Sequence, residues 1–150
     1  MGALKMNAGD WVAVCDGRKA LFLENAGTRA CPKLQTRETR EQDTPRTGEM
    51  GSERPGRVQE SANASRSAVA QTDWHSLAVR EFLTGVARRL DEAVSAGETA
   101  AVVVVAPPRA LGVLREAYTA AVRKAITAEI PKDYVNMPVA GIEKRLVFRL

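Results

Sequence analysis

Residues 99–108 read TAAVVVVAPP, four consecutive valines between small residues, closed by two prolines. β-Branched residues favour strands, and a run with no polar alternation describes a strand that shows neither face to water. Such a strand needs a covering layer on each side of its sheet, which points to helical crossovers between parallel strands. The run is too short to cross a bilayer, which takes about 20 apolar residues. The flanking sequence supplies the cover. Upstream, Asp73 is expected to cap a long helix whose apolar stripe is Trp74, Leu77/Ala78, Phe82, Val86, Leu90 and Val94. Gly97 falls just past its end, where a left-handed residue closes a helix. Downstream, Pro108 opens a second helix with Leu111, Leu114, Tyr118 and Ala121/Val122 inward. Ile126, Ala128 and Ile130 alternate up to Pro131 and predict another strand. A last short helix carries Val139, Ile142 and Leu146.

The N-terminal part is β-rich. Trp11 to Cys15 and Ala20 to Glu24 flank Asp16-Gly17, a pair that supplies the positive φ of a tight hairpin turn. Lys33 to Thr39 alternates Leu34 and Thr36 against polar residues, a third and half-exposed strand. The predicted order is β-β-β-α-β-α-β-α. This is an α/β protein with a mixed five-stranded sheet, helices on its faces, and a long loop before the first long helix. A length of 150 residues fits one domain. Residues 1–10 read as a flexible tail and residues 43–72 as a mobile loop rich in Gly, Pro, Ser and Arg, longer than ordinary connections. Aromatics make up 5% of the chain, so the core is aliphatic.

Several function classes lose support. There is no membrane-spanning run and no export signal, and Met6 stands where myristoylation wants Ser or Thr. Cys15 lies in an apolar run and reads as a small core residue; Cys31 is the other cysteine, and the pair forms no CxxC. A reduced, cytoplasmic protein is expected. No P-loop, GxGxxG or metal-ligand cluster occurs, so no cofactor is expected. The net charge of +4 is not evenly spread. Residues 36–67 carry 6 basic and 6 acidic groups, whereas residues 107–150 carry 8 and 4. That is a mild bias toward anionic partners.

Four blocks in order, WVAVCDGRKALFLEN, SERPGRVQES, VVVVAPPRALGVLREAY and EIPKDYVNMPVAGIEKRL, resemble the bacterial host attachment protein family, from Trp11 to Leu146. That family is similar in fold to the central domain of eukaryotic and archaeal peptide-chain release factors. The resemblance implies an RNase H-like arrangement, in agreement with the element order. Release factors carry a Gly-Gly-Gln tripeptide before the long helix. Here the region reads TGEMGSERPGRVQES, so peptide release is not expected. An RNase H metal site needs converging carboxylates. Asp16 ends the first strand, but the valine strand has none, so nuclease activity is not expected either.

The candidate binding residues are Arg54, Gly56 and Arg57 of ERPGR, with Arg109. Two guanidinium forks around a Pro-Gly turn could grip a phosphate or carboxylate; alternatively they pair with Glu49, Glu53 or Glu60 on a solvated loop. Arg109 follows the C-terminal end of the valine strand, the edge where open α/β sheets bind ligands, although Pro107 and Pro108 remove two amide donors there. Arg115 lies on the same helix. His75 reads as a surface or capping residue, and Asp133 as a turn or cap residue. No nucleophile–base pair is evident, so no catalytic residue is expected. The resulting expectation is a non-catalytic cytoplasmic adaptor with a protein partner. The alternative is an RNA- or ribosome-associated factor.

Overall fold

A computed structural model describes residues 6–42 and 76–147 of the chain. The elements, in order, are β1 (Trp11–Cys15), β2 (Lys19–Asn25), β3 (Leu34–Glu41), α1 (Leu77–Ser95), β4 (Val102–Val105), α2 (Pro108–Ala117), α3 (Ala120–Ala125), β5 (Ile126–Ile130) and α4 (Val139–Val147). The five strands form one mixed sheet in the order β3-β2-β1-β4-β5. β1, β2 and β3 pair antiparallel; β1 with β4 and β4 with β5 pair parallel.

The valine run explains the layering. Val102 and Val104 face one side with Trp11, Ala13, Phe22 and the buried residues of α1, α2 and α3. Val103 and Val105 face the other side with Val12, Val14, Leu21, Leu23, and Ile142 and Leu146 of α4. All four valines are buried, so each face of β4 meets a separate apolar layer.

The hairpin closes differently from the expected glycine turn. Asp16 Oδ1 accepts the Arg18 and Lys19 amides at 2.8 and 2.9 Å, an aspartate turn. The positive-φ glycines among the described residues are Gly9 and Gly97. Gly97 is the expected left-handed terminator of α1. Its amide donates to Val94 O and the Glu98 amide to Ala93 O, the paired bonds that satisfy the last carbonyls of a helix.

Three helix readings change. The Ser76 side chain caps α1, accepting Val79 N at 3.1 Å; Asp73, Trp74 and His75 lie outside the described residues. The buried face of α1 is Val79, Leu83, Val86, Ala87, Leu90 and Ala93. Phe82 and Val94 sit at its margin and Leu77 is 69% exposed. Strict spacings of four drift around a helix of 3.6 residues per turn, so the expected stripe leaves the core at its upstream end. The helix after Pro108 also breaks at Tyr118, which is extended. Thr119 there caps a new helix by accepting Val122 N and donates to Asp91 Oδ1 at 2.8 Å. The observed order is therefore β-β-β-α-β-α-α-β-α. Asp133 makes no hydrogen bond among the described residues; the neighbouring turn closes from Met137 N to Tyr134 O.

Two polar arrangements hold the start of the sheet. Asn25 is buried. Its Nδ2 donates to the Met6, Asn7 and Thr28 carbonyls, and its Oδ1 accepts the Gly27 and Lys33 amides. Residues 6–10, expected as tail, are thus pinned, with Met6 buried and Gly9 N bonded to Asn25 O. Gly27 allows the accompanying turn, because a Cβ there would strike the Cys31 carbonyl oxygen.

The second arrangement surrounds Trp11. The register of β2 and β3 shifts between Phe22 and Leu23, leaving Arg37 without a strand partner. Arg37 lies over the indole at 5.2 Å and bonds Glu24 at 3.0 Å; Arg89 of α1 lies over it at 5.3 Å and bonds Glu38 at 2.9 Å and Glu98 at 3.0 Å. Partial burial opposes ionisation of Glu38. The hydrogen bonds from Arg89 and Arg40 outweigh it and hold the carboxyl below its usual range.

Asn25→Asp turns three donated hydrogen bonds into carbonyl–carboxylate repulsions. It is expected to cost about 2–4 kcal/mol, read from urea unfolding at neutral pH. Arg89→Ala is expected to cost about 1–3 kcal/mol at neutral pH. Because the folded pKa of Glu38 is depressed below 4.5, its contribution is present at neutral pH and is lost as pH falls through the folded value. The wild type should therefore lose more stability between neutral and acid pH than Arg89→Ala, in paired unfolding curves.

Candidate functional site

The parallel strands β1, β4 and β5 end at one edge of the sheet. Neighbouring strands lie about 4.8 Å apart, so the segments that follow them form a row. Arg18 follows β1, Arg109 is the second residue of α2 after β4, and Lys132 follows β5. Among the described residues, none of these three side chains has an ion pair or hydrogen bond, and all are exposed or partly so. Asp16 and Glu41 sit at the same edge, but Asp16 Oδ1 is committed to the turn amides.

Helix α2 adds to the positive character. Its N-cap is Pro107 and its first residue Pro108, so those positions offer no amide hydrogen. The Leu111 amide returns to Pro107 O. The amides of Arg109 and Ala110 precede the first intrahelical donor, and the partial positive charge of a helix N-terminus lies beside the arginine.

The first described segment ends at this same edge. Gln42 N donates to Arg18 O, and its side-chain amide donates to Gly17 O at 3.1 Å. Helix α1 ends near the start of β1, where Arg89 meets Trp11. Of the expected site residues, Arg109 lies in the first turn of α2, after the C-terminal end of β4. Arg54, Gly56 and Arg57 lie outside the described residues. Arg115 is occupied: Nε and NH2 donate to Glu129 Oε1 at 2.9 and 2.7 Å. Arg18 was not singled out by sequence, and Lys132 stood there only within the block EIPKDYVNMPVAGIEKRL. Their signal is position alone, each within three residues of the end of a parallel strand.

Titratable groups nearby are muted rather than activated. Burial, then the neighbouring Asp16 charge, pushes the Cys15 thiol up to about 12. Burial and then Glu129 raise Tyr118 well above the ordinary phenol range. The Tyr118 hydroxyl and the Trp11 indole N–H have no hydrogen-bond partner among the described residues. Among the described residues, no group of three or more His, Cys, Asp or Glu gathers to hold a metal ion. No helix of the described residues is long and apolar enough to cross a membrane. This edge can attract and orient an anion through charge and amide donors.

Comparison with known families gives a match over most of the chain. The family model of bacterial archaeo-eukaryotic release factor family 12 matches residues 10–146. The match supports the release-factor side of the resemblance seen in sequence, and not the host attachment label. No curated protein matches the chain.

The thiol environments predict selective labelling. Cys31 is exposed and Cys15 buried. A thiol reagent at mildly alkaline pH should modify Cys31 in the folded protein and Cys15 only after denaturation, read by mass spectrometry of the labelled peptides. Labelling of native Cys15 at a rate like that of Cys31 would contradict its buried, protonated state.

Proposed function

The chain belongs to bacterial archaeo-eukaryotic release factor family 12, and from that premise we propose that it is an RNA- or ribosome-associated binding protein that does not release peptides. The family match over nearly the whole chain carries this reading. The sequence lacks Gly-Gly-Gln, which separates it from the hydrolytic chemistry of release factors. The cations along the C-terminal edge support the same reading. Arg18, Arg109 and Lys132 line one edge without partners among the described residues, an arrangement suited to the phosphate backbone. Arg54 and Arg57, with Gly56 between them, join this proposed contact set. The role is non-enzymatic and cytoplasmic, with RNA or a ribosomal surface as partner.

The test is co-sedimentation with ribosomes, and RNA retention, across a salt series. Phosphate contacts release counterions, so binding should weaken steeply as salt rises. Replacing Arg18, Arg109 and Lys132 with Gln should reduce the slope of log affinity against log salt by about 2. Arg54→Ala/Arg57→Ala should lower affinity in the same direction. Capture of a discrete protein by wild type and both variants alike, with no RNA, would favour the adaptor reading and the host attachment role instead.

A further inference from the structure

A second cation-bearing surface lies on the opposite face of the sheet. Helix α4 buries Ile142 and Leu146 against that face. Gly141, Lys144 and Arg145 are spaced three and four residues apart, so they share another face of the helix. With Met137 from the preceding turn they line a cleft of about 450 Å³. That volume falls within the range of small-molecule sites.

The chemistry of this cleft is specific. Glu143, the one carboxylate of α4, is directed to β3, where its Oε1 accepts the Leu34 amide at 2.9 Å. It does not neutralise the cations beside it. Lys144 and Arg145 have no carboxylate partner among the described residues. Arg145 instead lies over the Tyr134 ring at 5.8 Å, a contact that orients the guanidinium without cancelling its charge. At Gly141 the missing side chain makes room for the Met137 methyl carbon and for Pro138 Cδ, which pack over that point of the helix. An added Cβ would stand 3.3 Å from the Met137 methyl carbon, inside the lining of the cleft.

We infer that this cleft binds a nucleotide, either free or as one unit of a single-stranded RNA. Lys144 and Arg145 receive the phosphate, while Met137 and the guanidinium plane of Arg145 supply flat, polarisable surface for the base. The absence of a side chain at Gly141 lets the Met137 thioether lie against the helix as part of the cleft lining. Two unpaired cations beside a thioether and an aromatic-backed guanidinium fit a ligand that is anionic at one end and planar at the other. This inference deepens the RNA-associated reading and relies on it for the biological source of the nucleotide.

The experiment follows the Met137 methyl and the Gly141 amide by NMR in the full chain. Adenosine monophosphate, a short oligouridine and inorganic phosphate are titrated separately. Saturable shifts at both positions with the nucleotide or the oligouridine, clearly weaker with phosphate alone, are expected. Lys144→Gln/Arg145→Gln should weaken nucleotide binding by at least about tenfold. Arg145→Lys keeps the charge and removes the plane, so it should weaken nucleotide binding more than phosphate binding. Gly141→Ala should weaken binding without altering either cation. Unchanged methyl and amide signals, or equal response to nucleotide and phosphate, would overturn the inference. A loss of thermal stability in the double variant without any nucleotide response in wild type would assign the cations to the helix C-terminus instead. Ribosome co-sedimentation separates the two readings. Wild-type sedimentation with a silent cleft removes this inference alone. A responsive cleft without sedimentation removes the ribosomal source and leaves the nucleotide site.

Discussion

The whole arrangement follows from a strand that cannot tolerate water on either side. Val102–Val105 sits between β1 and β5 and divides its side chains between two separate apolar clusters. Each valine buried is worth about 1.5–3 kcal/mol relative to exposure, so removing either covering layer would expose about half of this strand. One cover, built from α1, α2 and α3, has to leave the sheet and return to it. Its loops therefore meet at the strand ends. Among the described residues, the other cover includes helix α4, held by Ile142 and Leu146 and by Glu143 reaching the β3 backbone. The three-helix side forms the edge loops, and among the described residues the outer face of α4 is left uncovered.

Charge is arranged by the same geometry. At the edge where β1 begins, the cations are consumed: Arg37 and Arg89 flank the Trp11 ring and bond Glu24, Glu38 and Glu98. The register shift at Phe22/Leu23 lets Arg37 and Glu38, neighbours in sequence, both serve this side of the sheet. At the opposite edge Arg18, Arg109 and Lys132 carry no such partners among the described residues. Among the described residues, one edge is thus electrostatically closed and the other open. This polarity is not visible in total composition.

Much of the fold was legible in the sequence because its signals were local. The buried valines, Gly97 after α1, Pro108 at the start of α2, and the apolar positions of α4 each reflect a backbone or burial requirement that acts over a few residues. The misreadings involve choices between locally equivalent solutions. Asp16-Gly17 could close a hairpin through glycine or through the aspartate side chain, and the structure uses the latter. Thr119 fits a helix interior in a periodic stripe, yet with Asp91 as partner it starts a new helix. Asn25 gave no signal because its five hydrogen bonds join residues 6–33 only after the strands have paired. Of the candidate site, Arg109 was readable as a strand-end residue. Arg18 and Lys132 acquire meaning only once β1, β4 and β5 lie side by side, and the α4 cleft only once Glu143 is seen to face β3.

The outer strand β3 has a further consequence. Its sequence LQTRETRE leaves most side chains exposed, and Arg37, Glu38 and Arg40 are already paired, with Glu24 and Arg89 across the sheet and with each other along the strand. A foreign strand laid against this border would have to break those pairs, and it would meet a ladder put out of step by the bulge. The border thus favours five strands over indefinite growth. At high local concentration, such as many copies gathered on one large assembly, this edge resists fusing neighbouring molecules into fibrils.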